Sequence, residues 1–333
     1  MEYRRLGRSG LQISALVLGT MNFGVPTDVT EASCLVNKAI DEGINLIDCA
    51  DVYNQGEAER MLGKILKENK KRKEVLLTSK VFNPTGSGPN DKGNTRHHII
   101  EGCECSLRQL QTDYIDIYFL HRTDFQVHQE ESLEALNHLR QQGKIRYAAC
   151  STQPAWRTVE GIYIAEKNGY PRFVCEQPPY NLLDRRSENE IIPMCEHYEI
   201  GVITWSPLAQ GILAGRYLEA NTFPAGSRGS LRDVFKERIS SPGIAVGRAF
   251  VEFAKKNNYK PSQLAIAWVL NQPGITSVIV GPRNIEQFED LLPSYKIQLT
   301  MEDRAFCDEL VPPGRYVTSF FNTTDWMLSK GIY

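Results

Sequence analysis

Asp48 ends the run NLID with Tyr53 just beyond it, Lys80 closes VLLTSK, and His121 closes YIDIYFLH. If these buried-looking runs are parallel barrel strands, the four side chains meet at one mouth. A carboxylate, a cation, a phenol and an imidazole are the groups needed to hand a proton to a carbonyl oxygen while something else delivers hydride. Taken singly, each has a structural use: a strand-end lysine snorkels, an aspartate caps a helix, a tyrosine packs. Together at successive strand ends on one face, they favour chemistry.

The elements that must position them follow from periodicity. Eight short apolar or β-branched runs, ALVLGT, NLIDCA, VLLTSKV, IDIYFLH, IRYAACS, FVCEQ, GVITWS and TSVIVG, alternate with helical patterns. Those patterns include residues 31–41, 57–66, 96–110, 133–140, 158–167 and 188–197. Continuous apolar strands alternating with helices point to a parallel sheet covered by helices, and eight units favour closure into an α/β (β/α)8 TIM barrel. The opening YRRLGRSGLQIS, with Gly7 and Gly10 between two extended pieces, reads as an N-terminal β-hairpin at the barrel floor. No G-x-G-x-x-G follows the first strand, which argues against a Rossmann arrangement; GSGPNDKG at 86–93 reads as a loop.

At 333 residues the chain exceeds the roughly 250 typical of such a barrel by enough for insertions but not for a comfortable second domain, so residues 1–333 are expected to form one domain. One insertion is the long Gly- and Ser-rich stretch 208–243, after the seventh strand, and another is the tail 312–333. The tail carries Tyr316, Phe320, Phe321, Trp326 and Tyr333, too many aromatics for a disordered end, so it should be ordered.

Lys plus Arg is 38 against 40 for Asp plus Glu, a net charge of -2, and this balance recruits neither nucleic acid nor an anionic membrane. The run KENKKRKE at 67–74 is short and interrupted by Glu68, and reads as a solvated face. No apolar stretch has signal-peptide or membrane-span length, so a soluble cytoplasmic protein with a small-molecule partner is expected. The eight cysteines match neither a zinc pattern nor a secreted disulfide framework, and read as reduced, mostly buried thiols. Cys103 and Cys105, two apart on a helix, point away from each other, and no H-x-H ends an early strand, so no metal site is expected. His97 and His98 read as structural.

NLIDCADVY at 45–53, LTSK ending at 80 and DYIDIYFLH ending at 121 resemble, in order, the catalytic segments of the aldo-keto reductase superfamily. LVLGTMNFG, GEAERMLGKIL, EQPPYNLLDR, WSPLAQGILAGRY and GPRNIEQFEDLL extend the resemblance over nearly the whole chain. The branch resembled includes bacterial and fungal aryl-alcohol dehydrogenase-like reductases and potassium-channel β subunits. The resemblance implies that Tyr53 donates the proton, Lys80 is its neighbouring cation, Asp48 partners Lys80, and His121 orients the carbonyl. A free phenol has a pKa of about 10, and Lys80 is expected to favour its phenolate.

The resemblance also implies NADP(H) lying extended across the mouth. Gly19, Thr20, Met21 and Asp48 would border it; Ser151, Thr152 and Gln177 would hold the carboxamide; and Trp205 would stack on the nicotinamide. Thr152 departs from the family's usual asparagine. Ser206, Pro207, Leu208, Gln210, Gly211 and Arg216 match the pyrophosphate loop, and Gly281, Arg283, Gln287 and Asp290 the adenosine end. Arg283 is the candidate for the 2′-phosphate, because a guanidinium forms forked bonds to phosphate. Met21, Phe23, Phe82 and Phe125 are the expected substrate residues, and their apolar character points to an aryl or other hydrophobic aldehyde or ketone.

The implied activity is reversible NADPH-dependent reduction of a carbonyl to an alcohol. The alternative is an NADP(H)-binding regulatory or redox-sensing subunit with vestigial chemistry.

Overall fold

In the computed structural model, residues 1–217, 219, 222–231 and 233–322 are described. Two short strands, β1 (Tyr3–Arg5) and β2 (Gln12–Ser14), form the antiparallel hairpin. Eight parallel strands follow: β3 (Leu16–Gly19), β4 (Leu46–Asp48), β5 (Leu76–Val81), β6 (Ile115–Leu120), β7 (Ile145–Ser151), β8 (Cys175–Gln177), β9 (Gly201–Thr204) and β10 (Ser277–Val280). They close in chain order, with β10 pairing back to β3. Every barrel strand lies within one of the eight runs anticipated from sequence.

The helices are α1 (Val29–Asp41), α2 (Glu57–Glu68), α3 (Arg96–Leu110), α4 (Gln129–Gln141), α5 (Ala155–Asn168), α6 (Ile191–His197), α7 (Arg228–Leu231), α8 (Ser241–Lys256), α9 (Pro261–Leu270), α10 (Ile285–Leu291) and α11 (Met301–Leu310). The pattern over 188–197 resolves differently from expectation, as a 3-10 turn Arg186–Glu188 followed by α6. Pro193, the third residue of α6, explains the break: its ring fits a first helical turn but would clash with a helical residue 189. No described helix is long and apolar enough to cross a membrane.

Strand alternation sorts the side chains into two cores. Val17, Leu46, Ile117, Phe119, Ala149, Cys175 and Ile203 fill the barrel interior, and the hairpin's Leu6 and Ile13 join them as a floor plug. The residues of opposite parity, among them Ile47, Leu77 and Tyr118, pack outward against the helices. Gly7 sits with φ at 53°, and a Cβ there would lie 2.4 Å from the Glu199 carbonyl oxygen, so only glycine lets the hairpin press so closely on the chain entering β9.

The same parity decides which polar groups enter the mouth. Counting by twos, Leu46 leads to Asp48, Phe119 to His121, Ala149 to Ser151, Cys175 to Gln177, and Ile203 to Trp205.

The described part of the tail packs, with Phe320 only 1% exposed. Asp184 Oδ2 accepts from the backbone N–H groups of Phe320 and Phe321 at 2.6 and 2.9 Å, and Arg186 pairs with the same carboxylate. Ser240, in the long loop, shares a hydrogen bond with Thr318. Trp326 and Tyr333 lie outside the described residues.

Candidate active site

Lys80 is fully buried, with its Nζ 2.7 Å from Asp48 Oδ2, 2.7 Å from the Cys49 carbonyl oxygen and 3.4 Å from the Tyr53 hydroxyl. Asp48 Oδ1 accepts from Thr78 Oγ1 and Gln177 Nε2, both at 2.9 Å. The carboxylate thus gathers β4, β5 and β8 around one charge. Burial works against the Lys80 charge, but Asp48 and Tyr53 outweigh it and hold the amine above its ordinary range. The Tyr53 and His121 rings stand edge to face, 6.0 Å between centroids.

For Tyr53 the balance runs against the expectation from sequence. Burial pushes the phenol up to about 12; Lys80 lowers it, and Asp48 in turn offsets part of that help. The resting phenol is therefore protonated, a loaded proton donor. Burial, then Lys80 and Arg122, hold His121 well below the usual imidazole range, so the ring is neutral. Its Nδ1 lies 3.3 Å from Asn83 Nδ2. An amide NH2 can only donate, so Nδ1 is the acceptor and the ring proton sits on Nε2.

Tyr53 and His121 open onto a cavity of about 710 Å³ at the C-terminal ends of the strands. Gly19, Met21, Asp48, Ser151, Thr152, Gln177 and Trp205 line it, as do Ser206, Pro207, Leu208, Gln210, Gly211 and Arg216, and finally Gly281, Arg283, Gln287 and Asp290. Thr20 does not reach it: its hydroxyl turns away to the Asp48 carbonyl oxygen at 2.9 Å. Thr152 has φ at 53°, an outlier for a β-branched residue and a conformation that an asparagine adopts more readily.

Ser206, Ala209 and Gln210 all have left-handed φ values, 59°, 48° and 61°. Backbone turned in this way forms concavities of N–H groups suited to phosphate oxygens. Arg216, Arg228 and Arg283 converge beyond them on the same cavity, and Arg283 donates to the Gly226 carbonyl. Burial, then Arg216, lowers the Arg283 guanidinium below its ordinary range. Asp290 pairs with Lys260 at 2.7 Å and accepts a hydrogen bond from Ser262 at 2.8 Å. These features fit a phosphate-bearing nucleotide at this end.

Of the four expected substrate residues, only Met21 lines the cavity. Phe23 is fully buried in the outer core, because its backbone N–H closes a turn onto Thr20 and swings the ring inward. Phe125 instead packs on Trp156, 6.3 Å between ring centroids, and Phe82 is absent from the lining. Residue type alone did not reveal which way these rings point.

Sequence reasoning missed Thr78, Asn83, Arg122, Arg228 and Arg238. Thr78 was within reach, being two residues before Lys80 on the same strand face. Asn83 and the loop arginines carried no periodic signal.

The aldo/keto reductase family model matches residues 15–312. The chain belongs to that family. Among relatives of this aldo/keto reductase family member, a Bacillus subtilis protein named as the uncharacterised oxidoreductase YrpG is 37% identical over 326 residues, covering 94% of this chain and 97% of the relative. A probable voltage-gated potassium channel subunit beta of Oryza sativa subsp. japonica is 37% identical over 287 residues, covering 84% and 87%. The versiconal hemiacetal acetate reductase of Aspergillus parasiticus is 32% identical over 337 residues, covering 94% and 98%. The aldo/keto reductase family resemblance read from the tetrad segments thus extends across the barrel.

Proposed function

We propose that this chain is an NADPH-dependent carbonyl reductase that acts reversibly on an aldehyde or ketone. The observation that carries the reading is the buried Asp48–Lys80 pair with Lys80 Nζ 3.4 Å from the Tyr53 hydroxyl, beneath an open cavity. Reduced nicotinamide, when bound, supplies the hydride. Tyr53 gives its proton to the carbonyl oxygen as charge develops there, and Lys80 stabilises the phenolate left behind. Neutral His121 donates from Nε2 to the same oxygen and fixes its direction.

Asp48 is acceptor-only, so Gln177 must turn its NH2 toward it, leaving Oε1 to accept from a carboxamide. Ser151 and Thr152 flank that position, Trp205 offers a ring face, and the backbone from Ser206 to Gly211 would take the pyrophosphate. Arg283 would read the 2′-phosphate, with Arg216 and Arg228 beside it.

The test is loss of reduced-cofactor absorbance with NADPH and NADH in parallel, against aromatic, aliphatic and sugar carbonyls. NADPH oxidation by one class is the expected result. Removing a charge-assisted bond is worth about 1.5–3 kcal/mol, so Arg283→Ala should weaken NADPH by roughly 10- to 100-fold and leave NADH nearly unchanged. Equal loss for both nucleotides would remove Arg283 from the 2′-phosphate role.

Asn83 is a positioning residue in this scheme. Asn83→Ala should lower kcat/KM for carbonyls by about 2- to 10-fold, the worth of one neutral hydrogen bond, without changing NADPH affinity. Its effect should vanish in a His121→Gln background; an undiminished effect there would mean that Asn83 does not act through the imidazole.

The rice relative's name favours a second reading, a cofactor-binding subunit of a larger assembly. Tight NADPH binding with no turnover on any carbonyl would select it.

A further inference from the structure

Arg238, at the end of the 3-10 segment Asp233–Arg238, has no part in holding the cofactor as read above. Its guanidinium lines the cavity 5.3 Å from the centroid of Trp205 and 5.8 Å from that of Phe320. Arg122, the residue after His121, lies 5.8 Å from the same Trp205 ring. Two guanidinium groups therefore lie close to one indole, in the cavity that Tyr53 and His121 also line.

A guanidinium withdrawn from water ordinarily has a carboxylate or a set of carbonyls to receive its five N–H donors. Among the described residues, no carboxylate lies within ion-pair distance of Arg238, and its acidic neighbour Glu237 is exposed. Burial, then Arg122, lowers its affinity for its own proton. The two rings hold the group in place by cation–π contacts without satisfying its forked donors. Such a group is complementary to an anion that no described residue provides.

We infer that the carbonyl substrate carries an anionic group, a carboxylate or a phosphate, and that Arg238 binds it with Arg122 alongside. This rests on the reductase reading and replaces the purely hydrophobic substrate suggested by the sequence. Met21, Trp205 and Phe235 supply the apolar wall along which the body of the substrate would lie. The anion would anchor one end of the molecule and leave its carbonyl free to reach Tyr53.

The test pairs each anionic substrate with a neutral partner of similar shape: para-carboxybenzaldehyde with para-tolualdehyde, and glyceraldehyde phosphate with glyceraldehyde. The wild-type protein should prefer the anionic member of at least one pair in kcat/KM, and which pair shows it separates carboxylate from phosphate. Arg238→Gln should reduce the anionic-to-neutral ratio by about 10- to 100-fold, as expected when a charge-assisted bond is lost, and Arg238→Lys should restore part of it. No preference in the wild type, or an equal loss for both members of a pair, would overturn the inference.

If neither these four compounds nor any carbonyl of the wider panel is reduced, the reductase reading fails by itself. Calorimetric titration of para-(hydroxymethyl)benzoate against para-methylbenzyl alcohol, on NADP-loaded protein, then decides the anion site. Tighter binding of the acid, lost in Arg238→Gln, would uphold it, and equal or absent binding would dismiss it.

Discussion

Tyr53→Phe should lower kcat for carbonyl reduction by about 10²- to 10⁴-fold while NADPH binds as in the wild type. The substitution removes one hydroxyl and keeps the ring, so the edge-to-face contact with His121 survives. The pH profile carries a sharper signature. With the phenol pushed up to about 12 by burial, the donor form is fully present at neutral pH and is lost only as pH climbs toward that value. Reduction should therefore show no Tyr53-dependent decline across the ordinary range. Alcohol oxidation needs the phenolate and should accelerate by about tenfold per pH unit over the same range. Equal pH dependence in the two directions, or an active Tyr53→Phe protein, would remove Tyr53 from the proton transfer.

Asp48→Asn should cost stability as well as activity. It leaves the Lys80 ammonium, which is 0% exposed, without its counter-charge, and breaking a buried pair from one side costs about 3–5 kcal/mol. The amide also presents an NH2 where both carboxylate oxygens now accept, so either Lys80 or both Thr78 and Gln177 lose their acceptor. Replacing both partners, as Asp48→Asn with Lys80→Met, should recover most of the stability by removing the stranded charge, yet leave the protein inactive. Chemical denaturation of the two single variants and the double variant measures this cycle. Additive losses would mean that the pair does not stabilise the fold as a unit.

The strands were legible because each is a short continuous apolar run between helical patterns, and Asp48, Lys80, His121, Gln177 and Trp205 stood out at or near the ends of such runs; the alternation of side chains along a strand then turns them to the inner face. Of the residues chosen for a cofactor by segment likeness, all but Thr20 line the cavity. Two kinds of fact were out of reach. Phe23 and Phe125 are aromatic near the mouth, but a turn onto Thr20 and a stack on Trp156 decide where their rings go, and neither contact leaves a periodic trace. The Tyr53 pKa is a contest between burial, Lys80 and Asp48, and only three-dimensional placement tells which prevails.

The wall that carries Arg238 is assembled from two segments far apart in the chain. Phe320 supports the guanidinium, Asp184 ties Phe320 down by its backbone N–H, and Thr318 fastens the tail to Ser240. Substrate preference in this protein is thus not a portable module. A graft that moved residues 208–243 into a relative would leave Arg238 without the ring beneath it, and only a donor loop and donor tail exchanged together would carry the selectivity across.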